Sequence, residues 1–151
     1  MLMPPTIWTI GYEALLPPAL VNELLHAGVK RLVDVRYRPQ SRRAGMSKTR
    51  LGELLGEHGI EYLHRRALGT PPDIRWFYKN RREAEGAALF ATHIEADDGA
   101  AALDELAAEL RDPSSPPTAL LCLEADPSVC HRRTITDHLT TRIPGLRVID
   151  L

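Results

Sequence analysis

The stretch "TALLCLEADPSVCHRR", residues 118–133, runs from the most apolar strand of the chain into the start of a helix. Asp126 followed by Pro127 is a capping residue and a first helical position, because proline has no N–H to lose there and a fixed φ suited to the helix. Ile135, Leu139 and Ile143 then keep one face apolar until Pro144 and Gly145 break the pattern. The same punctuation recurs upstream. Thr6–Ile10, "TIWTI", is β-rich and ends at Gly11; Pro17 and Pro18 open a helix with Leu20, Val21, Leu24 and Leu25 on its stripe; Gly28 closes it. "RLVDV" is a second strand, and Ser47 caps a helix with Leu51, Leu54, Leu55 and His58 on one face. "IEYLH" is a short third strand, "AALDELAAEL" is amphipathic, and "LRVIDL" closes the series. Residues 65–98 have an irregular pattern with some helix. Strands alternating with helices predict right-handed crossovers and a mainly parallel sheet of about five strands: a three-layer, Rossmann-like α/β sandwich.

With 151 residues, one α/β domain over residues 1–151 is expected. Two cysteines make no disulfide framework, and no run approaches the roughly 20 apolar residues that span a bilayer. The opening residues, "MLMPPTIWTIGYE", carry no basic leader, so a cytoplasmic protein with no membrane partner is expected. The net charge of −1 hides a strong polarity. Residues 30–82 hold fourteen Lys or Arg against five Asp or Glu, whereas residues 83–126 hold eleven carboxylates and one Arg. That division fits a basic face for phosphate, polyanion or an acidic partner, or a solvated surface of mixed charge.

In a parallel sheet, ligands bind beyond the carboxyl ends of the strands. That edge gathers Tyr12 and Glu13, Asp34 and Arg36, His64, and Glu124. The loop "DVRYRPQSRRAGMSKTR" adds Arg38, Arg42, Arg43, Lys48 and Arg50, with Ser41 and Ser47 supplying hydroxyls, and resembles an anion cradle of guanidinium forks beside a helix start. No Walker loop or dinucleotide fingerprint is present. "RWFYKNRRE" interleaves Trp76, Phe77 and Tyr78 with cations; this is either a stacking platform for bases or a segment packed on the core. Asp34 and Glu124 can hold arginines, act as a general base, or bind a hard divalent cation such as Mg2+ with a substrate phosphate. An ion pair from Asp34 to Arg132 is the structural alternative. Cys130 falls in the first turn of its helix, where partial positive charge favours a thiolate, with His131 and Arg132 adjacent. His131 can bind a phosphate oxygen, shuttle a proton or pack beneath the sheet edge. Cys122 reads as a small apolar filler at a strand end, not a partner of Cys130. Without a C-x-x-C pair or a fourth ligand, the spacing does not support zinc.

Four ordered segments, "TIGYE" (residues 9–13), "DVRYRPQSRR" (34–43), "GIEYLHRRALGTP" (59–71) and "LLCLEADPSVCHRR" (120–133), resemble the hallmark motifs of the DUF488 family. The resemblance implies an α/β fold and candidate site status for Tyr12, Glu13, Asp34, Arg36, Pro39, Ser41, Arg42, Glu124, Cys130, His131 and Arg132. It implies no reaction. Ala14 stands where a glycine is usual, and Thr70 where a second glycine is common.

Three function classes follow. The chain is a binder of a phosphate-bearing small molecule or nucleic acid, acting on it as a hydrolase or transferase; or a nucleic-acid-binding module without catalysis; or a thiol enzyme of the rhodanese kind. The last is opposed by "LEADP" after Cys122, which offers two carboxylates and no glycine where an anion-binding loop is needed.

Overall fold

The computed structural model describes residues 4–151; residues 1–3, part of the opening segment expected to carry no leader, lie outside it. The chain order is β1 (Thr6–Gly11), α1 (Pro17–Ala27), β2 (Arg31–Asp34), α2 (Lys48–Glu57), β3 (Glu61–His64), α3 (Pro72–Lys79), α4 (Glu83–Ile94), α5 (Asp97–Arg111), β4 (Thr118–Cys122), α6 (His131–Arg142) and β5 (Arg147–Asp150). Short 3-10 turns occupy Arg66–Leu68 and Pro127–Val129. All five strands are parallel in the order β3-β2-β4-β1-β5, the three-layer α/β fold expected from the alternation.

The two layers of helix are separated by strand parity, since successive side chains on a strand face opposite sides of the sheet. Ile7, Val33, Val35, Leu120 and Cys122 pack with Phe90, Leu103, Leu106, Ile135 and Leu139, from α4, α5 and α6. Ile10, Leu32, Ala119 and Leu121 face the other way, against Leu20, Leu24, Leu51 and Leu55 of α1 and α2. β4 lies in the middle of the sheet, and its five residues are all buried.

Some local signals act as read and others do not. Gly28 ends α1 at φ 78°, a left-handed conformation that residues with a Cβ resist. Asp126 accepts from the Ser128 hydroxyl and backbone N–H at 2.7 and 2.9 Å, but the turn it caps is 3-10. The α-helix begins only at His131, so Cys130 is its N-cap residue and not part of its first turn. Residues 65–98 are more regular than their pattern, with two full helices, and α5 begins at Asp97, before the amphipathic run. No helix among the described residues is long and apolar enough to cross a membrane.

Gly11 is the tightest joint. A Cβ there would lie 1.7 Å from the Glu124 carbonyl oxygen, so the loop after β4 folds directly over the end of β1. Tyr12 and Glu13 extend that seam by donating backbone N–H groups to Cys122 and Leu123. The joint fixes where the loops after β1 and β4 stand at the carboxyl edge.

Candidate functional site

At the carboxyl edge, the connections after β2 and β4 leave for opposite sides of the strand order, and such a switch leaves a crevice. A cleft of about 630 Å³ opens there. Arg36, Tyr37, Arg38, Gln40 and Arg42 line it from the loop after β2, Thr70, Arg75, Trp76 and Lys79 from α3 and the turn before it, and Tyr12 and Leu123 from the loops after β1 and β4. A smaller cavity of about 250 Å³, beside Pro5, Trp8 and Pro117, lies at the opposite end of the strands.

Arg38, Arg42 and Lys79 are exposed and Arg75 half-buried. Among the described residues none of the four forms an ion pair; the acidic half instead engages Arg31, Arg65, Arg82 and Arg142. Arg75 and Lys79 are four residues apart and share a face of α3. Between them Trp76 is 48% exposed, set edge-on to Phe77 at 5.1 Å, with the Arg82 guanidinium 5.5 Å from its ring centre. Trp76 therefore belongs to the cleft, while Phe77 and Tyr78 are half-buried. Thr70 is 2% exposed, and its Oγ1 has no hydrogen-bond partner among the described residues. A buried hydroxyl left unpaired in a cleft wall is a costly feature unless a ligand or water completes it.

Arg36, by contrast, is a structural arginine whose side chain forms part of the cleft floor. Its Nε and Nη2 donate to both Asp34 carboxylate oxygens at 2.7 to 3.1 Å, and Nη1 donates to the Met46 carbonyl at 2.7 Å and the Tyr12 hydroxyl at 3.3 Å. Burial alone would lower its pKa, but the hydrogen bond and charge of Asp34 override this and hold the guanidinium charged. Asp34, fully buried, also accepts from its own loop at Arg36 N and from the Tyr62 hydroxyl at 2.5 Å. Burial, then the Asp34 carboxylate, push the Tyr62 hydroxyl well above its ordinary pKa. Asp34 thus pairs with Arg36 and not with Arg132, because its parity turns it toward α2 while Arg132 stands on α6. Arg43 locks the next loop by donating to the carbonyls of Tyr12, Glu13 and Leu15.

Arg132 is fully buried on the α6 side. It donates from Nε to Thr9 Oγ1 at 3.1 Å, from Nη2 to the Ala125 carbonyl at 3.0 Å, and from Nη1 to the Glu124 carbonyl. The Thr9 hydroxyl in turn donates to Asp150. Arg132 therefore clamps the loop that crosses Gly11.

The two cysteines, read as unrelated, come together. Cys122 Sγ lies 3.4 Å and Cys130 Sγ 3.8 Å from His131 Nδ1, because the loop after β4 turns back and sets the start of α6 against the strand end. Cys122 also approaches Glu124 Oε2 at 3.3 Å. His131 Nε2 meets the Val35 carbonyl at 2.8 Å, and its ring stands edge-on to Phe90. The expected lowering of the Cys130 pKa does not occur: burial, then the neighbouring Cys122, push the thiol well above its ordinary value. For His131, burial works downward but is outweighed by Cys130, the Val35 carbonyl and Glu124, so its pKa is raised.

Of the candidate ligand-binding residues, Tyr12, Arg36, Arg38 and Arg42 line the cleft. Glu13 accepts from Ala125 N, Ser41 exchanges hydrogen bonds with Ser47, and Lys48 is exposed at the start of α2. None of these three, and none of Asp34, Glu124, Cys130, His131 and Arg132, lines it. Thr70 and Gln40 were not singled out as binders. Arg75 and Lys79 were visible only as the flanks of an aromatic run, although their spacing of four was the usable signal. No curated protein and no solved structure matches the chain. The family model "Domain of unknown function DUF488" matches residues 18–139, most of the sheet and the whole cleft wall from Arg36 to Lys79, and the chain belongs to that family.

Proposed function

We propose that the cleft binds a phosphate-bearing ligand of nucleotide chemistry, either a mononucleotide or a few residues of single-stranded nucleic acid. The carrying observation is the set of four cations, Arg38, Arg42, Arg75 and Lys79, gathered without carboxylate partners around a half-exposed indole. Guanidinium forks match phosphate oxygens, and an indole face accepts any base by stacking. The volume lies within the range of about 300–1,000 Å³ usual for small-ligand sites. Among the described residues no carboxylate lines the cleft, and the cations of the chain itself meet the charge of the ligand.

Binding is favoured over turnover, because Asp34, Glu124, Cys130 and His131 all lie outside the lining. Sulfur transfer of the rhodanese kind is disfavoured by the burial and raised pKa of the Cys130 thiol. The test is a thermal-shift and binding screen over mononucleotides, oligonucleotides and sugar phosphates. A ligand at a hundred times its dissociation constant is expected to add about 2.7 kcal/mol of stability. The double variant Arg42→Ala/Arg75→Ala should keep the wild-type melting temperature and weaken that ligand by at least about tenfold. A salt dependence that steepens with oligonucleotide length identifies the polymer as ligand, and a length-independent one the mononucleotide. If no phosphate compound stabilises the protein, or if the double variant binds as wild type does, the proposal fails.

A further inference from the structure

We propose that Cys122, Cys130 and His131 form a binding site for a transition-metal ion, zinc first among them. The three ligand atoms lie within 4.8 Å of one another, and all three residues are buried. Zinc bound at about 2.3 Å to sulfur and about 2.05 Å to nitrogen, in tetrahedral geometry, sets each S···N edge near 3.5 Å. The two observed edges, 3.4 and 3.8 Å, straddle that value. Two of the three edges are thus close to those an ion would set, and the third, between the sulfurs, is within 4.8 Å.

The histidine tautomer agrees. A backbone carbonyl can only accept, so the 2.8 Å contact from His131 Nε2 to Val35 O puts the proton of a neutral ring on Nε2. Nδ1 then presents its lone pair to the two sulfurs. A metal-binding imidazole that donates its other N–H to a carbonyl is the usual arrangement. Two thiolates and an imidazole are soft and borderline ligands that select zinc over magnesium or calcium. The absence of a C-x-x-C pair does not exclude such a site, because the chelate is closed by the fold, with one ligand at the end of β4 and two at the start of α6.

A separate observation falls beside the cluster. The Tyr78 hydroxyl is buried and has no hydrogen-bond partner among the described residues; Thr134 stands near without meeting hydrogen-bond geometry. Three protein ligands leave a fourth position on a tetrahedral ion, to be filled by water or by Glu124. The Glu124 carboxylate meets the Cys122 thiol at 3.3 Å and lies outside the set of three.

The test uses full-length protein freed of metal with a chelator under reducing conditions, then given Zn2+ or Co2+ alone. One zinc per chain is expected to persist through gel filtration and to raise the melting temperature. Cobalt is expected to give a thiolate-to-metal charge-transfer band with intense tetrahedral d–d absorption. Both cysteines of the chain lie in this cluster, so that band locates the ion in wild-type protein without any variant. Cys130→Ser should weaken zinc by more than about 100-fold, since losing only a hydrogen-bond partner of a ligand already costs about 10- to 100-fold. Glu124→Gln should still take up one equivalent. The Arg42→Ala/Arg75→Ala variant should bind zinc as wild type does, which separates this proposal from that of the cleft. No retained zinc, a cobalt spectrum without the charge-transfer band, or uptake unchanged in a folded Cys130→Ser overturns it.

Discussion

Asp34→Ala is expected to lower folding stability by about 3–5 kcal/mol, the usual effect of removing one partner from a buried ion pair. Arg36 is 4% exposed and donates three of its hydrogen bonds to the Asp34 carboxylate. Without that carboxylate it stays charged and buried with no counter-charge, and the Tyr62 hydroxyl and Arg36 N–H lose their acceptor as well. Urea denaturation with an unchanged m-value measures the loss. The double variant Asp34→Ala/Arg36→Met should recover much of it, because no uncompensated charge remains. If Asp34→Ala loses less than about 1 kcal/mol while ligand affinity collapses, Asp34 belongs to the ligand and the structural assignment is wrong.

Arg132→Met is expected to lose about 3 kcal/mol, from two carbonyls left unpaired at roughly 1–3 kcal/mol each, partly offset by removal of a buried charge. Methionine keeps most of the side-chain volume, so a cavity contributes little. The freed carbonyls are those of Glu124 and Ala125, and the first of them crosses Gly11 with no room for a Cβ. Arg132→Lys should rescue the variant poorly, because a single ammonium cannot reproduce the guanidinium fork. Chemical denaturation measures this loss too, and a folded Arg132→Met of unchanged stability would contradict the clamp.

These two residues show where sequence reasoning reached and where it stopped. Helix and strand positions were legible where their signals are local, as with Gly28 at a left-handed cap and Pro17 at a helix start; Asp126 before Pro127 opened a 3-10 turn and not the helix. The carboxyl edge was legible too, since an alternating α/β chain has only one end at which ligands gather. Side-chain partners were not. Asp34 and Arg132 both sit near that edge, but on opposite faces of the sheet, and only knowledge of which helix covers which face separates them. The arginines of the loop after β2 look alike in sequence, yet Arg36 and Arg43 are consumed by carboxylate and carbonyls while Arg38 and Arg42 stay free. Thr70 drew notice only as a missing glycine, whereas its buried, unpaired hydroxyl in the cleft wall is the informative feature. Cys122 and Cys130 were separated by a linear spacing that says nothing about a loop returning to its own strand.

The claim that the cleft holds a stacked, phosphate-bearing ligand is tested most directly through Trp76. The chain has two tryptophans, and Trp8 is partly buried against the α1 and α2 layer, so Trp8→Phe leaves Trp76 as the sole indole reporter. Titrating this variant with nucleotides and short oligonucleotides is expected to quench its fluorescence saturably, and rising salt or Arg42→Ala/Arg75→Ala should shift the midpoint upward. Fluorescence that does not respond to any nucleotide or oligonucleotide, or a midpoint indifferent to those arginines, would contradict the account.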